Sequence, residues 1–394
     1  MTLGEIYDLK RILQIVCYYY PHIGGIEQVA RDIANVIRDE EGFEQKIICF
    51  NETAQDGDYK CLRKDTVNET VDGIDVVRCG CITKKASQSI SLTFARELKK
   101  IMKGFRPDIV IFHYPNPLEA HYLLRYISKN CRLIIYWHLD ITKQKMLKHL
   151  FKHQNLSLIN RADYIIGATP IHLDTSEFSH CFGEKKRVLP YMIDEDIQNL
   201  SDKELGLANM IREKYRGQVL ALFVGRHVSY KGLTYLIDAS KELGNASLKI
   251  LIAGEGELTN QLKSQAEGDD KIIFIGKLSQ SEKKSYYKAC DIICFPSITR
   301  NEGFGLALAE GMSFGKPAVT FSIYGSGVNY VNLSDVTGIE CPNSDSKAYA
   351  SALKLLVEDE ILRKKMGKSA KNHIENNFTK RQFKMNVLKL LKEF

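Results

Sequence analysis

Short apolar runs alternate with amphipathic stretches along nearly the whole chain. In the first half the apolar runs fall at 12–19, 46–50, 76–79, 109–113, 132–138, 164–168 and 188–191. Several are continuous rather than alternating, as expected for parallel strands covered on both faces. Between them, 28–38, 93–102 and 118–128 carry apolar residues at helical spacing. Strand, helix, strand at this interval predicts βαβ units and a parallel sheet. A more polar stretch at 194–217 reads as a linker, after which the alternation restarts. The second set of runs lies at 219–224, 248–253, 272–275, 291–295, 318–321 and 338–341. The expected architecture is α/β: two doubly wound, Rossmann-like domains, 1–194 and 217–378, facing each other across a deep cleft. Residues 379–394 read as a basic amphipathic helix packing back on the first domain. In such sheets ligands sit beyond the carboxyl ends of the strands.

Composition narrows the class. A chain of 394 residues exceeds one ordinary core and suits two. At 44% hydrophobic and 26% charged it is globular rather than disordered. The net charge of +7 is too mild for a dedicated nucleic-acid binder, so no nucleic-acid partner is expected. The charge is uneven, however. Residues 82–161 hold 15 Lys/Arg against Glu97, Asp108, Glu119 and Asp140, whereas 39–81 hold 11 acids against five bases. The basic block suits a polyanion, an anionic membrane surface or simply a solvated face. Cysteines lie inside apolar runs (Cys17, Cys49, Cys294), which predicts buried free thiols in a reducing compartment. Cys79 and Cys81 lack a second half at zinc spacing, so no metal site is expected. The first ten residues carry no apolar core and no run reaches 18 apolar residues. A cytoplasmic protein without a membrane span is the expectation.

Three motifs fall at predicted strand ends. Gly24-Gly25 follows the first strand and opens a helix, where close backbone approach and free amides suit a phosphate. An ordinary tight turn has the same residues, and the dinucleotide fingerprint Gly-x-Gly-x-x-Gly is absent. Arg226 and Lys231 lie five apart in the first strand-to-helix turn of the second domain. There a fork and a point charge can both reach a diphosphate. The fullest motif is Asn301-Glu302-Gly303-Phe304-Gly305-Leu-Ala-Leu-Ala-Glu310-Gly311-Met312. Its glycines open a helix whose first amides can cradle an anion or sugar hydroxyls. Glu310 sits about two turns into an otherwise small, apolar helix, where a carboxylate needs donors. Ribose hydroxyls are suitable donors, and a buried base is the structural counterpart.

The Glu302…Glu310 pair around Gly-Phe-Gly resembles the E-x7-E motif of glycosyltransferase family 4, of GT-B fold. Gly24-Gly25, Arg226-x4-Lys231, Ile252-Ala-Gly-Glu-Gly256, Ile273-Phe-Ile-Gly276 and the Ser326-Gly-Val-Asn-Tyr-Val segment are similar too. The likeness covers nearly the whole chain. It implies that Glu302 meets hydroxyls of the transferred sugar and that the amides of Gly303, Phe304 and Gly305 hold sugar and phosphate. Glu310 would hold the ribose. Arg226 and Lys231 would neutralise the diphosphate, and backbone around Lys277 would meet the base. Gly24 and Gly25 would close on the phosphate from the other domain. His138 matches the family histidine near the reacting sugar, with either His113 or Asp140 sharing its role.

The resemblance further implies a retaining transfer that uses a nucleotide-diphospho-sugar as substrate, with no cofactor and no metal. The lack of an Asp-x-Asp motif agrees. Stabilising the departing diphosphate is the main lever of such a reaction. GDP-mannose is the favoured donor and UDP-hexoses the other choice. The bases and apolar residues at 143–152 suit an anionic bilayer. That pattern suggests a lipid-linked saccharide acceptor at the cytoplasmic membrane face, in the manner of polysaccharide assembly, and a basic surface helix packing on its own domain has the same residues. A nucleotide-sugar epimerase on the same scaffold is the alternative enzyme. A nucleotide-binding module without transfer is the alternative outside catalysis.

Overall fold

The computed structural model describes residues 9–22, 24–52, 63–85, 88–140 and 145–394, with the side chains at 85, 88 and 145–150 excepted. The chain divides into two compact units. One is Met1–Leu189 with Lys384–Phe394, and the other is Pro190–Phe383. The division falls at Leu189, earlier than the expected linker. Residues 194–217 belong to the second unit and carry the helix Asp202–Lys214, closed by a capping box of Ser201 and Glu204. That helix buries only Glu204, Ala208 and Ile211, and its polar outer face is what read as a linker.

The first unit contains β1 (Lys10–Ile15), β2 (Phe43–Phe50), β3 (Val67–Val71), β4 (Ile74–Cys79), β5 (Thr83–Lys85), β6 (Gln88–Ile90), β7 (Ile109–Tyr114), β8 (Arg132–Trp137), β9 (Tyr164–Gly167) and β10 (Lys186–Val188). Eight of them form a sheet ordered β10-β9-β8-β7-β1-β2-β4-β3. All its pairings are parallel except β3 with β4. Alternate strand residues serve opposite faces. Leu13, Ile15, Val110, Phe112, Leu133, Ile135 and Trp137 join one core cluster with Phe94, Leu98 and Leu123. Val16, Ile47, Cys49 and Val76 join Ala30 and Ala34 in another. Both faces are covered, which explains the unbroken apolar runs. Apolar patterning missed β3, β5 and β6, because short polar edge strands bury too little to leave a period.

The second unit contains β11 (Val219–Val224), β12 (Leu248–Ala253), β13 (Ile272–Gly276), β14 (Ile292–Phe295), β15 (Ala318–Phe321) and β16 (Gly338–Cys341), ordered β13-β12-β11-β14-β15-β16. Every pairing is parallel. Strand order reverses between β11 and β14 here, and between β1 and β7 in the first unit. A reversal sends the following loops apart, and ligands of doubly wound sheets bind in the crevice so formed. The helix Lys380–Lys392 ends in the first unit, where Lys384 and Lys392 both pair with Glu40.

Candidate functional site

In the second unit the loops after β11 and β14 meet at the reversal. The Ile298 amide donates to the Tyr230 carbonyl at 2.9 Å and ties the two loops together. Gly232 adopts φ 63° as N-cap of the helix Leu233–Glu242. A Cβ there would lie 2.1 Å from the Pro296 carbonyl oxygen, so only glycine lets the loops approach. This approach places Lys231 against Glu302, and their side chains form an ion pair. Ser297 Oγ donates to the same carboxylate at 3.2 Å, and Ser326 Oγ donates to the Glu302 carbonyl. Lys231 Nζ also lies 4.8 Å from the Phe295 ring centre. Arg226 is exposed beside this pair and donates to Tyr230 Oη at 3.4 Å.

Gly305 (φ 89°) caps the helix Leu306–Ser313. Phe304 is buried against Tyr191 and Phe378, with ring centres 5.2 Å away in each case, which anchors the turn. The amides of Gly303, Phe304 and Gly305 find no acceptor among the described residues. Such amides at a helix start are donors for an anion or for hydroxyls. Glu310 falls in the second turn of this helix. Its carboxylate takes a 2.9 Å bond from Lys283 and a 3.0 Å bond from Tyr287 Oη, so it is a paired, partly buried acceptor. Burial, then the neighbouring Glu310 charge, raises the Tyr287 phenol and keeps it a donor. Lys283 and Tyr287 stand one turn apart on the helix Gln280–Ala289. That i,i+4 spacing was the available signal for partners the motif reading missed. Lys277 is exposed just past the edge strand β13, two strands from β11. It stands apart from the Lys231–Glu302 cluster.

In the first unit Gly24 precedes the helix Gly25–Arg38 with extended backbone (φ −165°). A Cβ on Gly25 would meet nothing within 4 Å, so the fold itself does not demand glycine there. The preceding loop is clamped by Arg78, a buried guanidinium of β4 that donates to the Tyr19 and Tyr20 carbonyls and to Glu69.

His138 lies just past β8, with 3% of its surface exposed. His113 on β7 is its direct partner, with Nδ1 3.0 Å from His138 Nε2. Burial pushes the His113 imidazole down to about 3. Burial first, then His113 and His172, drives His138 well below the ordinary histidine value. Asp140 is held by other groups. Its carboxylate accepts from Trp137 Nε1 and Ser176 Oγ, each at 2.8 Å, and from the Glu177 amide at 3.2 Å. Of the two candidates to share its role, His113 is the one in direct contact with His138.

A family profile described as "Glycosyl transferases group 1" matches residues 210–373, and one described as "Glycosyltransferase Family 4" matches residues 23–196. The D-rhamnosyltransferase WbpZ of Pseudomonas aeruginosa is 30% identical over 298 residues, 75% of each chain. The chain belongs to glycosyltransferase family 4. O-antigen chain mannosyltransferase C of Escherichia coli is 26% identical over 378 residues, 94% of each chain. The fold is that of Anabaena HepE, solved in complex with UDP and glucose, at a TM-score of 0.72 and 18% identity. That likeness covers 98% of this chain and 100% of the other. The glycosyltransferase therefore has the GT-B architecture, with a Rossmann-like sheet in each unit. Arg226, Lys231, Glu302 and Glu310 lie in one matched segment, and Gly24, Gly25, His113 and His138 in the other. No described helix is long and apolar enough to cross a membrane.

Proposed function

We propose that this glycosyltransferase moves a hexose from a nucleotide-diphospho-sugar to a saccharide acceptor in cell-surface polysaccharide synthesis, with retention and without a metal ion. The observation that carries this reading is the convergence of Lys231, Glu302, the nearby Arg226 and the unpaired amides of Gly303–Gly305 at the reversal of the second sheet. Cations and amides match a diphosphate, and a carboxylate matches sugar hydroxyls. In the reaction the bond from the anomeric carbon to the diphosphate oxygen breaks. The acceptor oxygen bonds to the same face, and its proton leaves on the departing diphosphate. Arg226 and Lys231 offset the charge that the leaving group gains. Glu310, already oriented by Lys283 and Tyr287, takes the ribose.

GDP-mannose is the donor we favour, supported by relatives named for mannosyl and D-rhamnosyl transfer. UDP-hexose is the second reading, supported by the UDP complex of HepE. Family membership favours transfer over the epimerase alternative. The acceptor we propose is lipid-linked, met at an anionic membrane face through 82–161. In that block Arg96, Lys99, Lys100 and Lys103 project from the helix Phe94–Gly104, beside Leu92 at 74% exposure. Of the segment 143–152, residues 143 and 144 and the side chains through 150 lie outside the described residues.

Thermal unfolding with UDP, GDP, ADP and their sugar conjugates tests the donor site. A ligand at 100 times its dissociation constant stabilises by about 2.7 kcal/mol. One nucleoside diphosphate raising Tm in the wild type but not in Glu310→Ala is the expected result. No shift with any of them sinks the donor-site reading. An inverted product anomer, or activity abolished by EDTA, overturns the retaining, metal-free mechanism. Failure to float with anionic liposomes removes the membrane contact.

A further inference from the structure

The contact between His113 and His138 is part of a longer chain. Gln14 on β1 places its Oε1 3.0 Å from His113 Nε2, and His113 Nδ1 lies 3.0 Å from His138 Nε2. The three side chains are 0%, 1% and 3% exposed and cross the carboxyl ends of three neighbouring strands, β1, β7 and β8. Tyr136 stacks on His138 at 4.2 Å with the rings 6° apart, which holds the imidazole plane. The other titratable group acting on His138 is His172, from the helix Pro170–Asp174, itself 6% exposed. Nothing in the transfer reaction as described uses Gln14 or His113.

We propose that Gln14 and His113 are positioning residues that fix the tautomer of His138. The proposal rests on His138 facing the reacting sugar. With Gln14 presenting Oε1, which only accepts, His113 Nε2 carries the proton it donates. A neutral imidazole has one N–H, which leaves His113 Nδ1 as an acceptor. His138 Nε2 must then be the protonated nitrogen, and His138 Nδ1 becomes an acceptor. The relay commits the single N–H of His138 to His113 and makes Nδ1 the atom that accepts a hydroxyl proton. An acceptor is the partner a sugar hydroxyl needs when it donates.

The test is long-range ¹H–¹⁵N spectroscopy of the histidine-labelled full chain, with kinetics beside it. The wild type is expected to show His138 protonated at Nε2 and unprotonated at Nδ1 from pH 6 to 8. Gln14→Leu is expected to mix the tautomers and lower kcat about tenfold or more, with KM changed far less. Gln14→Glu restores an acceptor for His113 and is expected to recover both the single tautomer and most of kcat. This variant also guards against a Gln14→Leu protein that fails to fold. A wild-type His138 protonated at Nδ1, or Gln14→Leu and Gln14→Glu spectra identical to wild type, overturns the proposal. His138→Ala separates the two readings. Unchanged transfer there removes the sugar-facing role, while the relay still stands or falls on the tautomer spectrum.

Discussion

Lys231 and Glu302, 71 positions apart, neutralise each other in a pocket where each side chain is only 11–12% exposed. One is read as a diphosphate ligand and the other as a sugar ligand, so the ligand-free site stores its cation on its own carboxylate. Removing one member leaves a poorly solvated charge, a loss of about 3–5 kcal/mol for fully buried pairs. Lys231→Met is therefore expected to be less stable than the Lys231→Met/Glu302→Gln double variant. A urea double-mutant cycle checks this, and a coupling near zero means the pair contributes nothing. Both variants should lose transfer.

Gly232 and Gly25 separate fold from function. Gly232→Ala forces a Cβ to 2.1 Å from the Pro296 carbonyl oxygen at φ 63°, so the loop must move. A loss of more than ~1 kcal/mol is expected, with transfer gone. Gly25→Ala meets open space at the first residue of its helix. It should leave stability unchanged or raise it by up to about 1 kcal/mol, yet raise the donor KM. Thermal unfolding and initial rates check both. A Gly25→Ala enzyme with wild-type kinetics removes that turn from the donor site.

Glu119 carries a pH dependence. It is fully buried, both carboxyl oxygens lack a partner among the described residues, and burial raises its pKa well above the ordinary carboxylate value. Because the folded pKa is raised, stability from the neutral acid is full at pH values below the unfolded carboxylate pKa. It is lost as pH rises toward the folded pKa. Glu119→Gln removes that loss. Its urea midpoint should therefore gain on the wild type as pH rises above the ordinary carboxylate range, and parallel curves would refute the assignment.

Tyr287 binds both the Ala307 carbonyl and Glu310 at 3.0 Å. Tyr287→Phe should cost about 1 kcal/mol of stability and weaken nucleoside diphosphate binding several-fold, because Glu310 keeps only Lys283. Calorimetric titration checks the second part. Unchanged affinity would mean the orientation of Glu310 is irrelevant to the ligand.

Much of the site was readable because its parts are local. Glycines flanking Phe304, the run into Glu310 and the five-residue step from Arg226 to Lys231 each sit within one loop or one helix turn. Ser297, Lys283, Tyr287, Arg78 and Gln14 were not readable. Ser297 acts within its own loop but at no motif spacing, Lys283 and Tyr287 show only their i,i+4 step and not their target, and no period or spacing links Arg78 or Gln14 to a neighbour across the sheet. The placement of the linker failed for a similar reason. A surface helix that buries three residues looks polar, and only its packing shows which unit owns it.

The sequence alone determined the class: continuous apolar runs at βαβ intervals allow little except parallel sheets covered on both faces, and strand-end glycines mark the turns where the candidate site was sought. Strand order was decided by tertiary structure, and with it the juxtapositions that matter. The reversal at β11/β14 sets Lys231 on Glu302, and the neighbouring of β1, β7 and β8 lines up Gln14, His113 and His138. The physical reason is that hydrophobic burial is non-directional. It specifies which face of each element turns inward, whereas hydrogen bonds between distant side chains exist only once the strands have chosen their neighbours.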